Sequence, residues 1–278
     1  MIISVASGKG GTGKTTVATA LAQSMSTDVC LADCDVEEPN ARFLLHPEIS
    51  REENVFVKKP LLDEEKCTGC RQCVDVCQFN AISFIDNKPV FFDYLCHSCG
   101  GCILKCPENA ISEKEVLIGK ITFGKKENIN FIEGSLNVGQ AMSPPLIKEV
   151  IKQAKKYKDV IIDAPPGSSC PMVEAVSAGE HCFLVTEPTP FGLHDLQVAV
   201  EVLRTLKKSF SVIINRSDIC DGKLKDFCKS ENIPVAMEIP FSRKIAEGYS
   251  KGISMVAVEP NYKIKFKEII ERIKLCSK

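Results

Sequence analysis

The N-terminal segment constrains the fold of this chain more than any other. The apolar run "MIISVA" leads into the glycine-rich "SGKGGTGKTT", which is followed by the helix-compatible "VATALAQSM". A strand, a glycine-rich turn and a helix in this order are the context of a phosphate-binding P-loop, and the pattern G-x4-G-K-T is complete from Gly8 to Thr15. A glycine-rich surface turn is the alternative, but it requires neither the flanking elements nor the full pattern. The segment therefore predicts a nucleotide site in an α/β domain.

The residues of this loop have distinct expected roles. The glycines let backbone N–H groups approach phosphates, and the start of the helix adds positive potential. Lys14 is expected to reach the β- and γ-phosphates, and Thr15 to bind Mg²⁺ through its hydroxyl. The predicted phosphate-binding set is Gly8, Lys9, Gly10, Gly11, Thr12, Gly13, Lys14, Thr15 and Thr16.

A second feature is an internal repeat of cysteines. Eight of the 15 cysteines lie between Cys67 and Cys106, where "CTGCRQCVDVCQFNAI" and "CHSCGGCILKCPENAI" align with an offset of 29 residues. Both copies have the spacing C-x2-C-x2-C-x3-C. Three cysteines spaced in this way can surround one corner of a cubane cluster, while the fourth is free to bind a second cluster. Structural zinc is the alternative, but zinc ribbons use paired C-x2-C knuckles and not triple-cysteine runs.

The repeat resembles bacterial ferredoxins that hold two [4Fe–4S] clusters, over roughly residues 60–116. Pro107 follows the last cysteine as in that family, whereas Gln78 replaces the proline usual after the first run. The Ala-Ile pair that ends each copy is expected to pack over the clusters and exclude water. The resemblance implies one cluster bound by Cys67, Cys70, Cys73 and Cys106, and a second bound by Cys77, Cys96, Cys99 and Cys102.

Composition narrows the class of protein. Lys and Arg number 35 against 36 Asp and Glu, without a basic block, so nucleic acid is not an expected partner. The N-terminus lacks the pattern of a secretory signal, and no apolar run approaches the ~20 residues that span a bilayer. Seven cysteines are scattered singly outside the repeat, which favours a reducing compartment over a disulfide scaffold. The expected location is the cytoplasm.

Lys9 adds a finer resemblance to the P-loop. The sequence "KGGTGKT" is similar to that of the deviant Walker A ATPases, the superfamily of MinD, ParA, Mrp and the nitrogenase iron protein. The resemblance implies that ATP or ADP is bound with Mg²⁺. It also implies that Lys9 crosses a dimer interface to the partner's nucleotide, so that ATP holds a homodimer together.

Further segments match this superfamily in chain order. "VCLADCDVEEPN" resembles switch I, "DVIIDAPPG" resembles a Walker B strand, and Gly167 begins a segment like switch II. The resemblance implies that Asp35 positions or activates the attacking water and that Lys9, Lys14 and Asp35 form the catalytic set. Thr15, Asp33 and Asp163 are the implied Mg²⁺ residues. The implied contacts to the adenine ring are Asn215, Arg216, Pro240 and Phe241.

The rest of the chain alternates short apolar runs with helical periodicity. "HCFLVT", "SVIIN" and "PVAMEIP" read as strands, and Leu196, Val200 and Leu203 have helical spacing. We expect a doubly wound, mostly parallel sheet carrying a small inserted α+β domain similar to ferredoxin. The expected ATPase domain comprises residues 1–59 and 117–278, and the insert comprises residues 60–116. A hairpin at 115–134 is expected to join the insert back to the ATPase.

The leading functional hypothesis is an ATPase that couples nucleotide-dependent dimer rearrangement to electron transfer through two clusters to a redox partner. One alternative is an iron–sulphur carrier similar to Mrp, although Cys220 and Cys228 do not form the C-x-x-C that such carriers use. Another is a positioning ATPase similar to MinD, which would bind membrane through Phe266, Ile270 and Ile273. Such a stripe is more often a helix docked on its own sheet, so membrane binding is not expected.

Three further residues carry reactive side chains. Cys170 lies seven residues past Asp163, close to the position of a cluster ligand in the nitrogenase iron protein, but one cysteine per subunit supplies only two thiolates in a dimer. We therefore expect a free thiol there. His97 and His181 have no expected role.

Overall fold

The computed structural model describes residues 1–219 and 222–276, so Cys220 lies outside the described residues. Its strands are β1 (Ile2–Ser7), β2 (Val29–Asp33), β3 (Glu48–Leu62), β4 (Ile82–Ile85), β5 (Lys88–Phe91), β6 (Ile111–Lys126), β7 (Ile129–Leu136), β8 (Val160–Pro166), β9 (His181–Thr186), β10 (Ser209–Asn215) and β11 (Val235–Ile239). Its helices are α1 (Lys14–Ser24), α2 (Ala41–Leu45), α3 (Gln72–Val76), α4 (Gly101–Leu104), α5 (Pro144–Ala154), α6 (Cys170–Ser177), α7 (Pro190–Thr205), α8 (Lys223–Ser230), α9 (Arg243–Ser250), α10 (Met255–Val258) and α11 (Asn261–Cys276).

One large sheet organises the fold. In the described residues it contains nine strands in the order β11-β10-β9-β1-β8-β2-β7-β6-β3. The neighbours from β11 to β7 pair in parallel, and β6 and β3 extend the edge as antiparallel strands. The central strands are apolar and buried along most of their length, because helices cover both faces. The predicted doubly wound, mostly parallel α/β fold is confirmed.

Two apolar layers flank this sheet. On one face α5, α6 and α7 pack against it, and the predicted stripe of Leu196, Val200 and Leu203 is buried there. On the other face lie α1, α10 and α11, where Phe266 and Ile270 are buried and Ile273 packs against them. The apolar face of α11 thus covers the chain's own sheet, and the membrane-binding alternative loses the surface on which it depended. No helix in the described ranges is long and apolar enough to cross a membrane.

The cysteine-rich segment extends from the sheet on a two-stranded arm. Strands β3 and β6 pair from Glu48 opposite Lys125 to Leu62 opposite Ile111, with register shifts along the way. The predicted hairpin at 115–134 is present and consists of β6 and β7. The arm that carries the cysteine-rich segment is a different pair, β3 and β6. The expected boundaries at 59/60 and 116/117 fall within the ladder between β3 and β6. We refer to the part beyond it, residues 63–110, as the cysteine lobe.

The internal repeat is visible in the backbone of the cysteine lobe. Helices α3 and α4 occupy equivalent positions in the two copies. Left-handed residues also recur with the 29-residue offset, at Gly69 and Ser98, Arg71 and Gly100, and Asn80 and Asn109. Non-glycine residues adopt this conformation at a cost, and they do so where the surrounding structure requires it. The two copies therefore fold alike around their cysteines.

Candidate functional site

A large pocket lies beyond the carboxyl ends of the parallel strands, the edge at which α/β sheets bind ligands. It encloses about 1170 Å³ of empty space that is partly open to solvent, and we call it the nucleotide pocket. The predicted residues that line it are Gly10, Gly11, Gly13, Lys14, Thr15, Thr16, Asp35, Asn215, Arg216, Pro240 and Phe241. Most of the predicted nucleotide-binding residues are thus brought together in one cavity.

The P-loop is held against β10 by a side-chain amide. Gly13 has φ of 93°, a conformation that favours glycine, and a Cβ added there would collide with the Asn215 amide nitrogen. That nitrogen donates a hydrogen bond to the carbonyl of Thr12 at 2.8 Å. Asn215 therefore fixes the loop in addition to lining the pocket.

Lys14 forms a buried ionic centre at the floor of the pocket. Its Nζ lies 2.9 Å from Asp163 Oδ1 and 3.4 Å from Asp35 Oδ2. Burial lowers the pKa of Lys14, but the two carboxylates outweigh it and raise that pKa above its ordinary value. Burial also raises the pKa of Asp35. The second oxygen of Asp163 is buried and has no hydrogen-bond partner among the described residues, so it is available to an incoming group.

Asp33, one of the implied Mg²⁺ residues, is surrounded by backbone N–H groups. Its carboxylate accepts backbone N–H groups from Asp35 at 3.1 Å, Asn40 at 3.0 Å and Ala41 at 2.9 Å. Burial, followed by the charge of Asp163, raises its pKa well above the usual range. It is fully buried and does not line the nucleotide pocket, so it anchors the loop that carries Asp35 and the start of α2.

Lys9 is paired within its own chain. Its Nζ lies 2.5 Å from Glu187 Oε1, and Arg216 Nη1 lies 3.0 Å from Glu187 Oε2. Glu187 thus links the first lysine of the P-loop to the arginine after β10. Sequence reasoning missed Glu187, although its position directly after strand β9 is the same signal that drew attention to Asp33 and Asp163.

Helix α9 supplies a wall of the nucleotide pocket that was not predicted. Ile245, Ala246 and Tyr249 line the pocket beside Pro240 and Phe241. The helix begins at Ser242, whose hydroxyl accepts the N–H of Ile245 at 3.3 Å. The sequence signal for this wall is the periodic apolar face of a short helix. Such a face is also typical of a helix that packs against an ordinary core.

Two smaller cavities lie in the cysteine lobe. The first cysteine cavity is lined by all of Cys67, Cys70, Cys73 and Cys106. The second cysteine cavity is lined by all of Cys77, Cys96, Cys99 and Cys102. These are the two sets that the ferredoxin resemblance implies, each assembled from both copies of the repeat.

The surroundings of these cavities are apolar and rich in backbone donors. Ile82 lines the second cavity and Ile111 the first, and both are buried. The sulfur of Cys77 accepts the N–H of Ala81 at 3.4 Å, and that of Cys106 accepts the equivalent N–H of Ala110 at 3.3 Å. In the described residues no group of three or more His, Cys, Asp or Glu side chains is arranged to hold a single metal ion.

A small cavity lies between the cysteine lobe and the segment that follows β7. After Asp35, the Val36 carbonyl accepts the Leu136 N–H at 2.8 Å, and the next N–H, of Asn137, is bonded to the Ile118 carbonyl at 2.8 Å. Residues 140–142 then line a small cavity whose opposite wall is residues 93–98 of the lobe. The segment after Asp35 is thus hydrogen-bonded to the end of β7, and residues 140–142 that follow border the same cavity as Cys96.

The residues without an expected role have structural explanations. The His97 ring stacks on Phe79 with centroids 3.7 Å apart. His181 is hydrogen-bonded by both ring nitrogens, to Ser209 and Ser211, and burial lowers its pKa to about 4. Cys170 is an exposed free thiol at the start of α6.

The sheet order, the P-loop and the pocket together define a P-loop nucleotide-binding α/β protein. The family model of the CobQ/CobB/MinD/ParA nucleotide-binding domain matches residues 3–255, and the chain belongs to this family. Two proteins of Methanocaldococcus jannaschii are similar along nearly the full length. Uncharacterized protein MJ0579 is 32% identical over 265 residues, covering 92% of this chain and 91% of its own. Uncharacterized protein MJ0578 is 30% identical over 281 residues, covering 99% and 96%.

Solved structures confirm the fold. The septum site-determining protein MinD of Pyrococcus horikoshii, complexed with Mg-ADP, is 23% identical, with 98% of this chain and 96% of that chain covered and a TM-score of 0.61. The cell division ATPase MinD of Pyrococcus furiosus is 22% identical, with 98% of both chains covered and a TM-score of 0.60. At this level of identity the likeness concerns the architecture.

Proposed function

We propose that this chain binds and hydrolyses ATP with Mg²⁺ in the nucleotide pocket and forms an ATP-dependent homodimer. In the same proposal the cysteine lobe holds two [4Fe–4S] clusters that serve electron transfer to a partner protein, under control of the nucleotide. The proposed domains are an ATPase of residues 1–59 and 117–278 and an insert of residues 60–116.

The cluster assignment is carried by one observation, which is that each implied four-cysteine set lines its own cavity. Three further features fit such a group. Thiolates are the ligands that iron–sulphur clusters select. Left-handed residues next to the cysteines turn successive N–H groups toward one side, as in many iron–sulphur sites. The walls of both cavities are mainly apolar, as suits a group whose potential depends on limited solvent access.

When bound, [4Fe–4S] clusters supply one-electron transfer, and the protein sets their potential. The eight cysteines would hold them, as assigned by the repeat. The N–H groups of Ala81 and Ala110 donate to cysteine sulfurs and thereby stabilise negative charge on them. Ile82 and Ile111 form buried apolar parts of the cavity walls.

The hydrolytic roles follow from the paired charges of the nucleotide pocket. Lys14 would exchange its bonds to Asp163 and Asp35 for the β- and γ-phosphates, while N–H groups of the loop bind the same anion. The released carboxylates would then take new roles. Thr15 and the unpartnered oxygen of Asp163 would hold Mg²⁺, directly or through water. Asp35 would orient the attacking water and accept its proton.

The proposed dimer requires a second exchange. Lys9 is bound to Glu187 in the single chain, so it must leave this carboxylate to reach a nucleotide of the partner subunit. Arg216 also contacts Glu187 and would keep that carboxylate paired after Lys9 has left. Glu187 therefore keeps a positively charged partner, Arg216, when Lys9 moves to the other subunit.

A positioning ATPase similar to MinD is the second candidate, favoured by the common architecture. It does not account for the two cysteine cavities, and α11 has its apolar face buried. An iron–sulphur carrier is the third. It predicts that clusters leave this chain for an apo-protein, whereas clusters with four thiolates each should be retained.

Anaerobic purification with iron and sulphide analysis tests the proposal. About eight irons and eight sulphides per chain are expected, with a brown colour and an EPR signal after dithionite reduction. Cys70→Ser and Cys99→Ser should each perturb one cluster, and Cys170→Ser, at an exposed cysteine outside the lobe, should perturb neither. A colourless protein with one zinc per four cysteines would exclude the clusters, and absent ATP turnover would exclude the enzyme.

A further inference from the structure

Lys59 is an unusual residue in the wall of the second cysteine cavity. It lies near the end of β3, its side chain is 4% exposed, and its ammonium donates a hydrogen bond to the carbonyl of Cys96. Lysine is almost never buried to this degree unless it is paired with an opposite charge. The position of Lys59 therefore requires a source of negative charge.

The described part of the chain does not supply that charge. Across the described ranges, no carboxylate lies within ion-pair distance of Lys59, and the other charged residues of the cavity wall, Lys58 and Glu113, are paired with each other at 2.7 Å. Neighbouring Lys114, opposite Lys59 on β6, is paired with Asp93 at 2.8 Å. A buried ammonium without a partner is strongly unfavourable, so an anionic occupant of the cavity would complete the site.

The first cysteine cavity differs in its electrostatics. Its charged residues are Arg71 and Glu108, which have opposite signs and are both exposed. Water screens exposed charges far more than buried ones. The two cavities are thus alike in cysteine spacing and backbone, but a buried, uncompensated positive charge borders the second alone among the described residues.

We propose that Lys59 is the fixed counter-ion of the group held by Cys77, Cys96, Cys99 and Cys102, and that it makes this site the first of the two to be reduced. The inference rests on the proposed function. A cubane bound by four thiolates is anionic in both oxidation states and more anionic when reduced, so a nearby cation stabilises the reduced form more. The step is the gain of one electron from an external low-potential donor, and no bond forms or breaks.

The same site lies against the rest of the protein. Lys59 also lines the small cavity between residues 93–98 of the lobe and residues 140–142. The more easily reduced site is therefore the one that borders the cavity shared with residues 140–142. An electron entering through the first cysteine cavity would come to rest beside the ATPase.

A redox titration of the full-length protein, monitored by EPR, tests this inference with three variants. Lys59→Gln can still donate to the Cys96 carbonyl but has no charge, Lys59→Arg keeps the charge, and Lys58→Gln removes the exposed neighbouring charge. Cys70→Ser and Cys99→Ser assign each potential to a site.

The wild type should show two unequal potentials, the higher one belonging to the second cysteine cavity. Lys59→Gln should disfavour reduction of that site by roughly tenfold, about 59 mV for one electron, and leave the other unchanged. Lys59→Arg and Lys58→Gln should resemble the wild type. Unchanged potentials in a Lys59→Gln protein with full iron content would overturn the inference while leaving the proposed function intact. If Lys59→Gln loses iron, equal potentials at the two sites of the wild type would overturn it. A wild type without iron would instead refute the proposed function.

Discussion

The nucleotide-binding body and the cysteine lobe are stabilised in different ways. The body buries two extensive apolar layers, one on each face of the large sheet. The cysteine lobe, residues 63–110, contributes little more than Cys73, Ala81, Ile82, Pro89 and Ala110 to the described interior. Segments below roughly 70 residues seldom acquire enough core to fold without a disulfide, a metal or an equivalent constraint.

The difference teaches how each region depends on its ligand. The nucleotide pocket is organised by the chain's own ion pairs, such as Lys14 with Asp163 and Lys9 with Glu187, and is therefore expected to keep its fold without a nucleotide. In the cysteine lobe the thiols surround cavities where a core would otherwise be. Its order is therefore expected to depend on what fills them.

Removal of the clusters should produce the largest effect. Chelation under oxidising conditions should abolish amide protection in residues 63–110, by roughly 10³-fold or more at the best-protected sites, because the lobe lacks a core of its own. Hydrogen exchange with mass spectrometry measures this, with peptides of β1 and β8 as the internal control. Equal protection before and after iron removal would contradict the comparison.

The second prediction concerns Asp35. Asp35→Ala should lower turnover by roughly 10²–10⁴-fold and trap an ATP-bound dimer, because water positioning is lost while phosphate contacts remain. Size-exclusion chromatography with ATP detects the dimer.

The same residue predicts a pH dependence. Burial raises the pKa of Asp35, and the protonated carboxyl group cannot accept a proton. As the pH is lowered, wild-type turnover should therefore begin to fall at a higher pH than the ~3.9 at which an ordinary aspartate titrates. If Asp35→Ala forms no ATP-bound dimer and turns over ATP normally, the role of Asp35 in positioning the attacking water is ruled out.

Lys14→Ala tests whether the two regions are separable. Nucleotide affinity should fall by at least roughly 30-fold, since truncating a buried charge partner costs about 2–5 kcal/mol, whereas iron content should not change. Calorimetric titration with ADP and iron analysis give the two readouts, and Lys156→Ala, at an exposed position, is the control. Loss of iron together with nucleotide binding would show that the regions fold as one unit.

Lys9→Ala should have a smaller effect, confined to assembly. Because Lys9 is absent from the wall of the nucleotide pocket, monomer affinity should change by less than about threefold, while ATP-dependent dimerisation should weaken by at least roughly tenfold. Light scattering at several protein concentrations measures both states. Normal dimerisation and turnover in this variant would refute the intersubunit role.

Local spacing explains what the sequence could predict. The P-loop is a contiguous motif, and most of its residues line the nucleotide pocket. Both four-cysteine sets come from one short internal repeat, and each lines its own cavity. Strand β3 was missed because its exposed charged residues, including Arg51, Glu52 and Glu53, hide the alternation of a strand. The role of Asp33 depends on how the following loop curls back to present three N–H groups, which no spacing rule reveals.

Contacts between distant segments were the least predictable. Glu187 joins Lys9 to Arg216 across three separate parts of the chain. Residues 140–142 and residues 93–98 line one cavity because the arm consists of β3 and β6. The sequence instead predicts the hairpin that forms β6 and β7. That cavity lies between the segment after β7 and the cysteine lobe.

The central claim is that the two regions are coupled, and a redox titration in three nucleotide states tests it directly. Val36, next to Asp35, is hydrogen-bonded to Leu136, and residues 140–142 a few positions further on border a cavity with Cys96. Linkage requires that nucleotide shift the cluster potential by the same free energy by which the oxidation state shifts nucleotide affinity. A coupling of ~1–3 kcal/mol corresponds to roughly 40–130 mV for one electron. EPR-monitored titrations without nucleotide, with ADP and with a non-hydrolysable ATP analogue should give separate curves, with the second cysteine cavity shifted most. Three coincident curves would contradict the coupling.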